Sequence, residues 1–211
     1  MDSYLTVPAS GEAEFIEKKS RFIGHISPVI SEDEAVAFIA DIRAQHRRAN
    51  HNCYAYILRE NNAMRYSDDG EPQGTAGMPI LEVLRRESIV DVAVVVTRYF
   101  GGILLGAGGL VRAYAGTAKL TLDSVGIAQM CLCTELAVEM PYSWYEQILK
   151  LLESHPVQIL DTIFAGDVTL YIRMPTESVG AFEKALTELS SGTLGIVATG
   201  ERFEALAGFR S

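Results

Sequence analysis

The chain has 211 residues, 48% hydrophobic and 21% charged, which is ordinary globular usage and excludes a disordered chain. Its net charge of −9 argues against bulk binding to nucleic acid or anionic membrane, which depends on clustered Lys and Arg, and leaves room for a local basic face. Three cysteines, no apolar run near the roughly 20 residues of a membrane helix, and an N-terminus (MDSYLTVPAS) with no apolar core give the expectation of a reduced, soluble, cytoplasmic protein.

In chain order, EAEFIEKKSRFIGHISPV alternates and reads as strand, turn, strand. SEDEAVAFIADIRAQH reads as a helix, with Ser31 and Glu34 as a capping box and Val36, Ile39, Ala40 and Arg43 at helical spacing. NCYAYILRE is a strand, RYSDDGEPQGTAGMPI a loop of turn formers, and MPILEVLRRE a short helix with Pro79 in its first turn. Five consecutive apolar residues, Val92 to Val96, predict a central strand buried on both faces. A helix of small residues follows the next glycines and runs to about Val125.

The second half reads as strand (CTELAVEMP), helix (YSWYEQILKLLESHP, capped by Ser143 and Glu146), two strands meeting at Gly166-Asp167, helix (TESVGAFEKALTELSSG) and strand (TLGIVATGERF). That order, β-α-β-β-α-β, is the ferredoxin-like pattern. The expectation is an α+β chain of two domains, residues 1–129 and 133–208. Residues 1–129 carry 13 Lys+Arg and 16 Asp+Glu, net −3, and residues 130–211 carry 5 and 11, net −6. The basic side chains therefore concentrate in the first half.

The most unusual stretch is RYFGGILLGAGGLVRAYAGT, Arg98 to Thr117, with 6 of the chain's 18 glycines in 20 residues. Glycine costs backbone entropy, so the cluster implies a sharp turn or a close approach. It fails the Walker register, since Ala107 and Gly108 stand where Lys and Ser/Thr are needed. It fails the dinucleotide fingerprint too, because Val111 stands where a third small residue belongs. A generic anion site fits, with Gly101, Gly102, Gly108 and Gly109 at the start of a helix and Arg98 and Arg112 flanking it. Close helix–sheet packing, with Arg112 paired to a loop carboxylate, is the plainer account of the same glycines.

Upstream, Asp68, Asp69 and Glu71 are three carboxylates in four positions. They lack the EF-hand spacing and any His or distant carboxylate to complete a shell, so they read as turn caps or partners of Arg98, and no metal or cofactor is assigned. His51 and Cys53 share a strand face, which admits a nucleophile pair or a packed thiol, with no third orienting group in sight. Cys131-x-Cys133 is one residue short of the redox spacing. His25, His46 and His155 read as isolated. Basic candidates for RNA are Lys18, Lys19 and Arg21, then Arg43, Arg47 and Arg48, then Arg85 and Arg86. Contact with RNA would require them to converge.

Two blocks, YSDDGEPQGTAGMPIL and VVVTRYFGGILLGAGGLVRAYAGTA, with HNCYAY ahead of them and KKSRFIG near the start, resemble the IMPACT family, in particular its bacterial YigZ-type branch. The resemblance covers essentially the whole chain. It implies a ribonuclease-PH-like first domain, as in a small-subunit ribosomal protein, sugar kinases and elongation factor G domain IV. It implies a ferredoxin-like second domain similar to elongation factor G domain V. Eukaryotic relatives act in translational control under amino-acid stress by competing for an activator of an initiation-factor kinase. The family has no established catalytic residues. The resemblance marks as its signature loop Ser67, Asp68, Asp69, Gly70, Glu71, Pro72, Gly74, Thr75 and Gly77, and the second block spans Arg98 to Arg112. The expected function is thus a non-catalytic, translation-associated protein that binds RNA or the ribosome. The alternatives are a regulator binding a protein partner in a stress response, and a phosphate or small-molecule binder or enzyme built on the glycine loop.

Overall fold

The computed structural model describes residues 3–205. Residues 1 and 2 of the expected first domain, and 206–208 of the second, lie outside the described residues. The chain divides into two compact units, one spanning Tyr4–Ala128 and the other built from Ser3 together with the residues from Gln129 onward.

The chain opens with β1 (Ser3–Thr6), a strand of the sheet that contains β7 (Ala128–Met140), and the first unit's own sheet begins with β2 (Gly11–Glu17) and β3 (Ser20–Pro28). Glu17 pairs with Ser20, leaving a two-residue turn of Lys18 and Lys19 with φ of 45° and 64°. Two successive positive φ values match the twist of the flanking strands, at a cost for residues that are not glycine. Then come α1 (Glu32–Gln45), β4 (His51–Ile57), β5 (Met64–Ser67), α2 (Gly77–Arg86), β6 (Val92–Tyr99) and α3 (Ala107–Val125). Strands β2-β3-β6-β4-β5 form one sheet, antiparallel at every junction. Both faces are covered. Val92, Val94 and Val96 pack in the core with Leu84 of α2 and Tyr114 and Leu122 of α3, while Ala93 and Val95 pack with Ala35, Ile39 and Ile42 of α1. Burial on both sides explains the unbroken apolar run in β6.

Local differences from the sequence reading have physical causes. Met64–Ser67 is an edge strand that overlaps the start of the expected loop, too short to show a pattern. The buried stripe of α1 is Ala35, Ile39 and Ile42, and Val36 is exposed, because the small Ala35 is the residue packed against the sheet. Ser31 Oγ accepts from Glu34 N as expected, but the Glu34 carboxylate reaches Ile30 N instead of closing the box on Ser31.

The second unit contains β7 (Ala128–Met140), α4 (Tyr145–Leu152), β8 (Gln158–Phe164), β9 (Val168–Pro175), α5 (Thr176–Ser190) and β10 (Val197–Ala205). The spatial order β10-β7-β9-β8, antiparallel throughout, is the ferredoxin-like split βαβ arrangement. Leu136, Val138, Leu170 and Ile172 face Ile148, Leu152, Phe182 and Leu186 of the helices. Ser143 does not cap α4, since a 3-10 turn over Tyr142–Trp144 precedes the helix and Ser143 lies inside it. On the strands, Arg173 joins Glu135 (2.6 Å), Glu204 (3.0 Å) and Gln158 (3.2 Å), tying β9 to β7, β10 and β8. No helix among the described residues is long and apolar enough to cross a membrane.

Candidate functional site

The signature loop is organised by Asp68. Its carboxylate accepts from the backbone N–H groups of Gly74 (2.8 Å), Ala76 (3.0 Å) and Gly77 (2.9 Å). The N-cap position of α2 is Ala76, which has no side-chain acceptor, so Asp68 caps that helix from eight residues upstream. Ahead of it, Asp69 (φ 45°) and Gly70 (φ 88°) form a tight turn closed by Glu71 N donating to Asp68 O, and Ser67 Oγ accepts from Asp69 N. Thr75 closes the second turn with both its N–H and its hydroxyl on Pro72 O. At Gly77 a side chain would stand 2.7 Å from the backbone of Ser67, so only glycine admits this approach of loop to helix.

The three loop carboxylates diverge. Asp69 bonds Arg43 (2.9 Å) and Asn52 N (2.6 Å). Glu71 is buried and accepts from Arg98 (2.6 Å) and from the hydroxyl of Tyr114 (2.8 Å). The Arg98 guanidinium lies 5.5 Å from the ring centres of both Phe22 and Phe100. Burial pushes the Tyr114 hydroxyl strongly upward, so it stays a neutral donor to Glu71. Among the described residues no three His, Cys, Asp or Glu side chains are grouped to hold a metal ion.

The glycine stretch does two things. Gly101 packs on the peptide joining Lys19 to Ser20, where a side chain would overlap backbone, and its N–H donates to Ser20 Oγ at 3.1 Å. Gly106, with φ of 72°, is the N-cap of α3. Because the helix starts at Ala107, Gly108 and Gly109 lie in its first turn and Arg112 in its second, within the helix rather than flanking its start. Arg112 is exposed and has no carboxylate within salt-bridge distance among the described residues. It lines a hollow of about 290 Å³ with Lys18, Glu17, Phe15, Leu105 and Gly109. The structure thus separates the two arginines that flank the glycines. Arg98, 6% exposed, is spent on Glu71, whereas Arg112 joins Lys18 of the first hairpin. Beyond the hollow the loop exposes Phe100, Ile103 and Leu104, the last at 83%.

The other nucleophile and ligand candidates are mostly sealed. Cys53 is fully buried, donates to Asp68 O at 3.0 Å, and has its thiol pushed up to about 12 by burial. His51 Nδ1 lies 2.8 Å from Asp69 O, so the His51–Cys53 pair holds the loop backbone rather than forming a nucleophile with its base. Cys131 and Cys133 are free, buried thiols with sulfurs 3.4 Å apart. His25 and His46, read as isolated, stand together with ring centres 5.0 Å apart, across the chain turn between β3 and the end of α1. Their convergence depends on tertiary pairing and left no sequence signal.

The chain matches the Impact N-terminal domain over residues 18–122 and a domain of unknown function (DUF1949) over residues 138–193. It is 40% identical over 193 residues to the IMPACT family member YvyE of Bacillus subtilis (strain 168), covering 91% of this chain and 89% of that protein. It is 35% identical over 205 residues to the IMPACT family member YigZ of Escherichia coli (strain K12), covering 95% and 100%. A solved structure described as that of a hypothetical protein matches with a TM-score of 0.61 and 33% identity, over 95% of this chain and 98% of the other. Both units, and the loops that organise the first, fall within these alignments, and the chain belongs to the IMPACT family, among its bacterial members.

Proposed function

We propose that this chain is a non-catalytic binding protein of the translation apparatus that contacts RNA phosphate through the edge formed by the Lys18–Lys19 turn and the start of α3. The observation that carries the reading is the shared hollow of Lys18, Gly109 and Arg112. It puts two cations from distant parts of the chain beside the first turns of a 19-residue helix, where free N–H groups favour anions. A non-catalytic role is supported by the burial of Cys53 and by the use of Asp68, Asp69 and Glu71 within the fold. The translational context comes from the resemblance to the family's eukaryotic members.

The test is co-sedimentation of the chain with ribosomes and with structured RNA across a salt series, comparing the wild type with Lys18→Ala/Arg112→Ala. Binding that weakens as salt rises, with a shallower salt slope in the variant, supports the reading. A wild-type chain that stays in the supernatant at low salt overturns it. A second reading, docking to a protein partner, is favoured by the exposed Ile103 and Leu104 of the same loop. Leu104→Ser would then abolish stoichiometric capture of one partner and leave RNA binding unchanged.

A further inference from the structure

We infer that Cys131 and Cys133 form a reversible disulfide within β7, with Cys131 as the residue that meets a peroxide and Cys133 as the thiol that resolves it. Two residues apart on the strand, the cysteines share one face. Leu136, Val138 and Met140 of the same strand point into the helix-covered core, so alternation puts both thiols on the opposite face of the sheet. The two sulfurs are 3.4 Å apart, which is van der Waals contact, and both are free. One intervening residue on a strand therefore does what two do in the common redox spacing: it holds two sulfurs side by side.

The surroundings divide the roles. Cys131 keeps 6% exposure and lines a hollow of about 290 Å³ with Ser3, Gln129, Leu132, Pro175 and Thr176, ample for a molecule the size of hydrogen peroxide. Cys133 has no exposure. Burial pushes its thiol up to about 12, with the neighbouring Cys131 sulfur adding to the rise, so at neutral pH Cys133 stays protonated and inert toward an oxidant. Cys53 supplies an internal control, being fully buried and the single cysteine of its unit.

The chemistry balances in two steps. The Cys131 sulfur, as thiolate, attacks one oxygen of hydrogen peroxide. The O–O bond breaks, the leaving hydroxide takes up the thiol proton as water, and Cys131 becomes a sulfenic acid. The Cys133 sulfur then attacks the Cys131 sulfur. The S–O bond breaks, and the departing hydroxide carries off the Cys133 proton as a second water. Two thiols are oxidised and one peroxide is reduced. The second step outruns further oxidation of Cys131 because the attacking sulfur is already in contact.

The strand makes the bond easy to reverse. Two residues of an extended strand rise about 6.4–6.8 Å, at the long end of the roughly 4.4–6.8 Å between Cα atoms that a disulfide spans. Bridging them strains β7, and strained disulfides are the labile, regulatory ones.

The experiment treats the full chain with hydrogen peroxide near neutral pH, stops the reaction by alkylation in denaturant, and maps the tryptic peptide 120–150, which holds both cysteines. The expected product is that peptide unalkylated and lighter by two hydrogens. Dithiothreitol should return it to two alkylatable thiols, and it should form more than about tenfold faster than Cys53 is lost. Cys133→Ser should stop the reaction at a Cys131 sulfenic acid that dimedone traps, Cys131→Ser should leave Cys133 reduced, and Cys53→Ser should leave the disulfide unchanged. Should a serine variant fail to fold, the wild-type product and its reversal decide the matter. The inference is overturned if both cysteines of the peptide stay reduced, if Cys131 goes on to sulfinic acid while Cys133 remains alkylatable, or if the disulfide joins two chains.

Discussion

The Arg98 guanidinium and the Glu71 carboxylate meet at 2.6 Å, with their side chains only 7% and 3% exposed. The pair crosses from β6 to the signature loop, and the Tyr114 hydroxyl adds α3 on the same carboxylate oxygen. Two family blocks separated along the chain are therefore one buried polar network in space. The residues that looked most like an anion site from sequence are in part its internal counter-ions.

Glu71→Ala leaves the Arg98 cation buried without its partner. Breaking a buried pair on one side costs about 3–5 kcal/mol. Asp69→Ala, which removes a half-exposed contact to Arg43 and one bond to Asn52 N, should cost less, about 1–2 kcal/mol. Urea unfolding of both variants checks the order, and near-equal losses would deny Glu71 its buried role.

Asp68→Ala strips the acceptor from three backbone N–H groups at the start of α2 and should cost about 1–2 kcal/mol. Asp68→Asn keeps an acceptor oxygen and should recover roughly half of that. Hydrogen exchange adds a local readout, since the amides of Gly74, Ala76 and Gly77 should lose protection in the Ala variant before the rest of α2 does. Uniform loss across the unit would mean that Asp68 is not a cap.

The architecture was more legible than the site. The Val92–Val96 run marked a strand covered on both faces, and the second half carried the ferredoxin-like order in its periodicity, because both signals are local. Glycine clustering marked the region that matters, yet it could not separate the roles of its members. Gly101 is defined by the Lys19–Ser20 peptide across a strand pairing, and that contact is non-local. The same holds for Arg98 and Arg112, which flank one loop and go to different neighbourhoods. His25 and His46 met only through the pairing of β3 with β6 and the packing of α1, so spacing alone gave them no relationship.

That separation of glycine roles has a direct test. Gly101→Ala forces a side chain into the Lys19–Ser20 backbone and should destabilise by about 2–4 kcal/mol, within the range of severe overpacking. Gly116 lies within α3 with open space where its side chain would be, so Gly116→Ala should stabilise by about 0.5–1 kcal/mol through helix propensity. Thermal unfolding of the two variants side by side should move the midpoint in opposite directions. A shift of the same sign in both would mean that the cluster serves one common purpose.

Cys53 gives the pH prediction. Burial lifts its thiol from an ordinary value of 9.0 to about 12, so the folded chain holds that proton more tightly than the unfolded chain does. The resulting stability is full below about pH 9 and is lost as pH rises from there through about 12. At pH 8 the native thiol should resist iodoacetamide, because thiolate is scarce and the sulfur is fully buried against Asp68 O. In denaturant it should alkylate at the rate of an ordinary cysteine. Peptide mass mapping after alkylation resolves Cys53 from Cys131 and Cys133. Rapid modification of Cys53 in the folded chain at pH 8 would show an accessible thiolate there and would reopen the nucleophile role for the His51–Cys53 strand face.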